Sequence, residues 1–307
     1  MSRGTSSRKR RRRKFFSGLI IVFLSVIIFT QIKGKLFATV GDSTGDYALV
    51  DENSLAKKDK SNPEDAIETI DEKGNGDSNF EDRDGEIKRA IEEKKQVLID
   101  TVYVNNEGQR IVTNPDDILV LVNKERILES DYKPNDLVIP DVPFTFEGND
   151  QKRYLRKVAA EALEELFKEG EKEGVVLHAA SGYRSYERQE FLFNYRAERN
   201  GVEETNKLTA RPGQSEHQTG LAMDVTSESV NFSLNEKFEQ TVEGIWLREN
   251  AHRFGFILRF LKEKTDITGY SYEPWHIRYI GEDVAADIYG KSITLEEYFG
   301  FEYGMEY

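Results

Sequence analysis

Apolar and polar positions along the 307-residue chain change rhythm several times, and each change marks an element. From Phe15 to Ile32 there is no rhythm: the stretch is apolar apart from Ser17, Gly18, Ser25, Thr30 and Gln31. About 18 helical residues reach roughly 27 Å, near the hydrocarbon thickness of a bilayer. Residues 15–35 are therefore expected to form a transmembrane anchor. From about 41 to 85 the pattern dissolves into Asp, Glu, Ser, Asn, Gly and Lys, with Tyr47 and Phe80 as aromatics. Such a stretch buries too little apolar surface to order itself, and residues 36–96 are expected to be an acidic flexible linker.

Periodicity returns after that. Glu86 to Gln96 suits a short charged helix. Val97 to Val104, a turn at Asn105-Asn106-Glu107-Gly108 and Gln109 to Thr113 read as strand, turn, strand, and Leu119 to Asn123 as a further strand. Apolar residues at 155, 158, 159, 162, 163 and 166 give Gln151 to Glu173 a helical stripe, ended near Gly170 and Gly174. A buried strand is expected over Val175 to Ala180, a second amphipathic helix over Ser185 to Asn200, and a loop over Thr205 to Gly220. Leu221 to Thr226, Phe256 to Phe260 and His276 to Ile280 look extended. Glu243 to Phe254 and Asp283 to Tyr289 look helical. Interleaved helices and short strands without a βαβ rhythm or internal repeat predict an α+β domain over 97–307.

Charge fixes the orientation of the anchor. The first 35 residues hold ten Lys/Arg and no acid, although the whole chain is acidic, with 56 Asp/Glu against 43 Lys/Arg. The basic tail, residues 1–14, is expected to stay cytoplasmic and the folded domain to lie outside the cell membrane. A cleaved signal peptide is the alternative, but Leu36-Phe37-Ala38-Thr39-Val40 offers no clean small-x-small site. The acidic remainder argues against a nucleic-acid partner, and no protein partner is indicated. Cysteine is absent. That excludes disulfides, thiolate zinc sites, a Cys nucleophile and a lipobox anchor.

Any metal must then be held by His and carboxylates, and two of the four histidines stand in suggestive company. His217 and Asp224 lie seven apart across Gly220, where the chain can turn back, and Ala222 and Asp224 share a strand face. A carboxylate at the end of a buried strand is costly unless paired or coordinated. In Glu273-Pro274-Trp275-His276, Pro274 disfavours a helix, and an irregular bend there would turn Glu273 and His276 to one point. Two His and one Asp leave the fourth position of a tetrahedral zinc open, as a catalytic site requires. Glu273, outside the ligand set, is placed to take a proton from water and return it to a leaving amine. Arg184, at a strand-to-helix junction, suits an oxyanion, with Gln189 one turn further on. Ser215 shares a face with His217 if that segment is extended.

Each has a plainer alternative: His217 as a packed core histidine, Glu273 paired with Arg278, Arg184 paired with Glu187. His178 and His252 read as structural, and the His-Glu-x-x-His helix of zincins is absent.

Ser181-Gly182-Tyr183-Arg184-Ser185, Ser215-x-His217-x-x-Gly220-x-Ala222-x-Asp224 and Glu273-Pro274-Trp275-His276 together resemble the VanY-type D-alanyl-D-alanine carboxypeptidases of the lysostaphin/D-Ala-D-Ala/sonic-hedgehog metallopeptidase group. The resemblance extends over about residues 117–300 and takes in Leu121-Val122-Asn123-Lys124 and Asn250 to Arg259. It implies a one-zinc fold with a small central antiparallel sheet flanked by helices. It also implies His217, Asp224 and His276 as ligands, Glu273 as base, Arg184 as transition-state stabiliser, and Gln189 and Ser215 as substrate contacts. The implied reaction removes the C-terminal D-alanine from peptidoglycan stem peptides. L,D-cleavage of tetrapeptide stems, a crosslink-cutting endopeptidase and a silent wall-binding module are the rival expectations.

Overall fold

The computed structural model describes Met1 and residues 78–306. Apart from Met1, the tail expected at 1–14 lies outside the described residues, as do the anchor at 15–35 and most of the linker at 36–96. Among the described residues no helix is long and apolar enough to cross a membrane.

In chain order the elements are α1 (Ser78–Asp100), β1 (Val102–Val104), β2 (Arg110–Val112), β3 (Arg126–Ile127), β4 (Leu137–Val138), β5 (Leu155–Arg156), α2 (Lys157–Lys172), β6 (His178–Ser181), α3 (Tyr186–Asn200) and α4 (Val202–Leu208). They continue with β7 (Ala222–Thr226), α5 (Val242–Asn250), β8 (Phe256–Phe260), α6 (Thr265–Thr268), β9 (Glu273–Tyr279), α7 (Glu282–Lys291) and α8 (Leu295–Phe299). The expected α+β class holds. The central sheet has four strands in the order β6-β7-β9-β8, every neighbouring pair antiparallel. Two small sheets flank it, β1-β2-β3 and β4-β5.

Each face of the central sheet has its own core. Ala159, Ala160, Leu163 and Leu166 of α2 form one cluster with Met223, Val225, Ile277, Trp246 and Leu247. A second joins Leu98 of α1, Ile257 of β8 and Ala285, Ile288, Leu295 and Phe299 of α7 and α8. Burying one such leucine contributes about 1.5–3 kcal/mol. Local signals end the helices: the Ser185 side chain caps α3, Gly201 closes it with φ +83, and Thr294 and Glu297 make a reciprocal capping box on α8.

Several expectations change. The strand expected at 119–123 is buried but irregular, because its carbonyls are taken by arginine side chains instead of a ladder. Arg126 Nε donates to Leu121 O, and Arg278 Nη2 donates to Ile118 O and Val120 O. Residues 97–100 are helical, and α1 crosses the boundary expected at 97. The helix docks there: Leu98 is buried, its carbonyl accepts from Arg126 Nη1 at 2.6 Å, and Lys94 Nζ lies 3.5 Å from the Tyr298 ring centre. The helix expected from Gln151 starts at Lys157, since Leu155–Arg156 pairs with β4. The loop expected over 205–220 contains most of α4 and a 3₁₀ turn at Glu216–Thr219. Glu273 and Pro274 belong to β9, and the bend expected at Pro274 takes the form of a register shift against β8 between Leu258 and Phe260.

Candidate metal centre and active site

The site is assembled by strand register. Asp224 on β7 pairs with Ser181 on β6 and with His276 on β9, so the carboxylate sits mid-sheet between two segments that carry chemistry. His217 arrives from the 3₁₀ turn before β7, which Gly220 ends in a left-handed conformation, φ +66. A side chain at 220 would also meet Leu137 Cδ2 at 2.8 Å. Gly182 is required on space alone: a Cβ there would lie 2.5 Å from the Tyr154 carbonyl oxygen. Its own carbonyl accepts from His217 Nδ1 at 2.8 Å and orients that ring.

His217, Asp224 and His276 are all buried, and one donor atom from each lies within 4.8 Å of the others. With Nδ1 committed to Gly182, His217 presents Nε2 to Asp224 Oδ2 at 3.4 Å. His276 presents Nδ1 to Asp224 Oδ1 at 2.9 Å. Burial alone would raise the Asp224 carboxyl, but His217 and His276 beside it hold it well below the usual carboxylate range. Burial would lower His276, yet its hydrogen bond to Asp224 and the nearby Glu216 carboxylate push it up to about 9. Two imidazoles with one carboxylate are a zinc donor set. The residues present fit the metal.

All seven residues singled out from the sequence line one cavity of about 600 Å³. Glu273 stands beside the ligands, Oε2 at 3.9 Å from His276 Nδ1. Burial raises its carboxyl to about 7, against the pull of His276. Arg184 is held by its neighbours, donating from Nη1 to Gln189 Oε1 at 2.8 Å and from Nη2 to Ser181 Oγ at 3.0 Å. Burial lowers the guanidinium and Asp224 opposes that. Gln189 in turn donates to Ala210 O at 2.6 Å. Ser215 lines the cavity as the residue before the 3₁₀ turn, and the extended segment expected around it ends there.

The plainer pairings do not form: Arg278 donates to Glu216, and Arg184 to Gln189 and Ser181. His178 packs edge-on to Phe232 and His252 stacks on Tyr289 at 3.8 Å, both outside the triad. Sequence reasoning missed a buried network of Glu216, Arg259, Arg278 and Glu296. Its signal was present, since Arg259 in Phe-Ile-Leu-Arg-Phe and Arg278 in His-Ile-Arg-Tyr-Ile are charges inside apolar strands and must find buried carboxylates.

The comparisons with known proteins agree with this geometry. A family model described as VanY, D-alanyl-D-alanine carboxypeptidase, matches residues 152–282. The YodJ protein of Bacillus subtilis (strain 168) is 46% identical over 223 residues, 71% of this chain and 82% of its own length. The chain belongs to the VanY carboxypeptidase family. Among solved structures, that of the LD-carboxypeptidase LdcB, described for its peptidoglycan recognition, is 50% identical and covers 64% of this chain and 92% of its own, with a TM-score of 0.62. The VanY D,D-pentapeptidase of a VanB-type resistance cassette, in complex with Zn(II), is 34% identical over 59% of this chain and 97% of its own, with a TM-score of 0.47. As a VanY-family member this chain is a zinc-dependent carboxypeptidase acting on peptidoglycan peptides, with His217, Asp224 and His276 as its metal site.

Proposed function

We propose that the enzyme releases the terminal D-alanine of tetrapeptide stems as an L,D-carboxypeptidase. The observation that carries this reading is the likeness to LdcB, which spans nearly all of that chain at half identity. Cleavage of D-alanyl-D-alanine, expected from the sequence motifs, is the second reading, supported by the description of the family model.

In either reading the side chains have the same work. When bound at His217, Asp224 and His276, zinc supplies Lewis-acid polarisation and makes water acidic enough to attack near neutral pH. Glu273, raised to about 7, takes the proton of the attacking water and returns it to the leaving amine. Arg184, fixed by Gln189 and Ser181, faces the developing oxyanion without having to reorganise. Gln189 and Ser215 line the same cavity and hold the peptide.

Purified enzyme is incubated with tetrapeptide and with pentapeptide stems, and released D-alanine is counted. Turnover of the tetrapeptide with the pentapeptide left intact is expected; the opposite preference replaces the first reading with the second. Residues 15–35 are proposed to anchor the enzyme with its catalytic domain outside the cell membrane, on the strength of the apolar run and the basic tail before it. Fractionation of the full chain and of a chain starting after residue 35 checks this. Recovery of both in the soluble fraction would remove the anchor.

A further inference from the structure

We infer that Glu216 is a positioning residue for the metal centre: its carboxylate accepts the Nε2 proton of His276 and so fixes the tautomer that leaves Nδ1 free to hold zinc. The inference rests on His217, Asp224 and His276 being the zinc ligands. His276 uses one nitrogen toward Asp224, at 2.9 Å from Nδ1. Its other nitrogen, Nε2, lies 3.5 Å from Glu216 Oε2. Both atoms are buried, and neither has a hydrogen-bond partner. The separation is longer than a formed hydrogen bond, so a donor and an acceptor face each other a few tenths of an ångström from closure. Buried polar atoms rarely stay unpaired.

The other oxygen of Glu216 is already saturated. Oε1 accepts from Arg259 Nε and from Arg278 Nη1, each at 2.8 Å. Arg259 is gripped on its far side by Glu296, at 2.7 and 2.6 Å, and Arg278 donates onward to the carbonyls of Ile118 and Val120. All four charged side chains are buried, and two arginines against two glutamates leave the cluster neutral. Glu216 is thus held as a carboxylate in one place, with Oε2 as the remaining acceptor and the His276 ring as the donor facing it. An N–H given to a carboxylate sets the tautomer of a ligating histidine and makes its other nitrogen more basic. A purely structural network would need Glu216 and Glu296 alike, since both neutralise Arg259. The positioning role belongs to Glu216 alone.

The test uses the full chain with ¹⁵N-labelled histidine, loaded with zinc, and reads the His276 ring by nuclear magnetic resonance. A protected proton on Nε2 and a metal-bound Nδ1 are expected; a proton on Nδ1 with zinc on Nε2 overturns the inference. This measurement needs no variant, so it decides the tautomer even if a substitution prevents folding. In parallel, zinc affinity is measured by chelator competition for E216Q and E296Q. E216Q is expected to bind zinc about 10–100-fold more weakly, and E296Q to stay within about twofold of the unaltered protein. Equal losses in the two variants, or none in E216Q, also overturn it. An unaltered protein that binds no zinc would instead strike at the ligand assignment.

Discussion

Replacing Gly182 with alanine places a methyl group 2.5 Å from the carbonyl oxygen of Tyr154, 3.0 Å from the carbonyl oxygen of Lys152 and 3.0 Å from Met223 Cε, the first two being backbone atoms and the last a movable side-chain tip. The backbone oxygens cannot simply retreat. Lys152 O accepts from Gly182 N at 2.6 Å and Tyr154 O from Tyr183 N at 2.7 Å, so moving either stretches a hydrogen bond. Overpacking of this kind costs about 1–3 kcal/mol, and two weakened hydrogen bonds add about 1 kcal/mol each, giving roughly 3–5 kcal/mol in all. The same displacement moves the Gly182 carbonyl that orients His217, so zinc affinity is expected to fall by about 10–100-fold. Urea unfolding of the metal-free protein reads the first quantity and chelator competition the second. Gly290→Ala is the control: its Cβ meets nothing within 4 Å and its φ lies outside the left-handed region, so stability should be unchanged or gain up to about 1 kcal/mol. A Gly182→Ala protein within about 1 kcal/mol of the original, with unaltered zinc affinity, would refute the packing argument.

Glu273→Gln should keep zinc, measured by metal analysis, while kcat for D-alanine release falls by about 10²–10⁴-fold; retained activity would remove Glu273 from the chemistry. Stripping the metal with a chelator should abolish hydrolysis, and returning zinc should restore it. Zinc should also stabilise the fold by about 2.7 kcal/mol when supplied at 100 times its Kd, read as a concentration-dependent rise in Tm. Arg259→Met leaves Glu216 and Glu296 short of a buried partner and should cost about 3–5 kcal/mol in denaturant unfolding. A loss under about 1 kcal/mol would mean that the network is hydrated, not buried.

What the sequence disclosed and what it hid follow from where the determining interactions lie. Phe256–Phe260 was legible to the residue, since a short, almost wholly apolar run buried on both faces between Gly255 and the charged Lys262-Glu263-Lys264 admits little else. The α3 helix was legible because its cap residues, Ser185 and Gly201, are written beside it. The strand expected at 119–123 was not. Its apolar run is real and its side chains are largely buried, but whether its carbonyls meet a ladder or an arginine depends on residues 5 to 158 positions away. The zinc ligands were legible as types at a spacing. That Asp224 stands directly opposite His276 is a matter of register, which the motifs alone do not state.

That register accounts for more than the metal. Side chains alternate across a strand, so the pairs Asp224 with His276 and Ala222 with Arg278 put all four residues on one face of the sheet. On β8, Ile257 pairs with Arg278, and Arg259 shares the face of Ile257. One face of three adjacent strands therefore carries the two ligands and both buried arginines, while Met223 and Ile277 on the other face pack against α2. Small Ala222 stands opposite Arg278, whose guanidinium reaches past it to Glu216, the residue next to the third ligand. A one-residue slip of β9 against β7 would bury His276 and Arg278 in the apolar core and bring Ile277 to the metal. Burying Arg278 away from the Glu216 carboxylate is so costly that this slipped pairing is excluded. The charges that look like a liability in apolar strands thus hold the register on which the metal site depends.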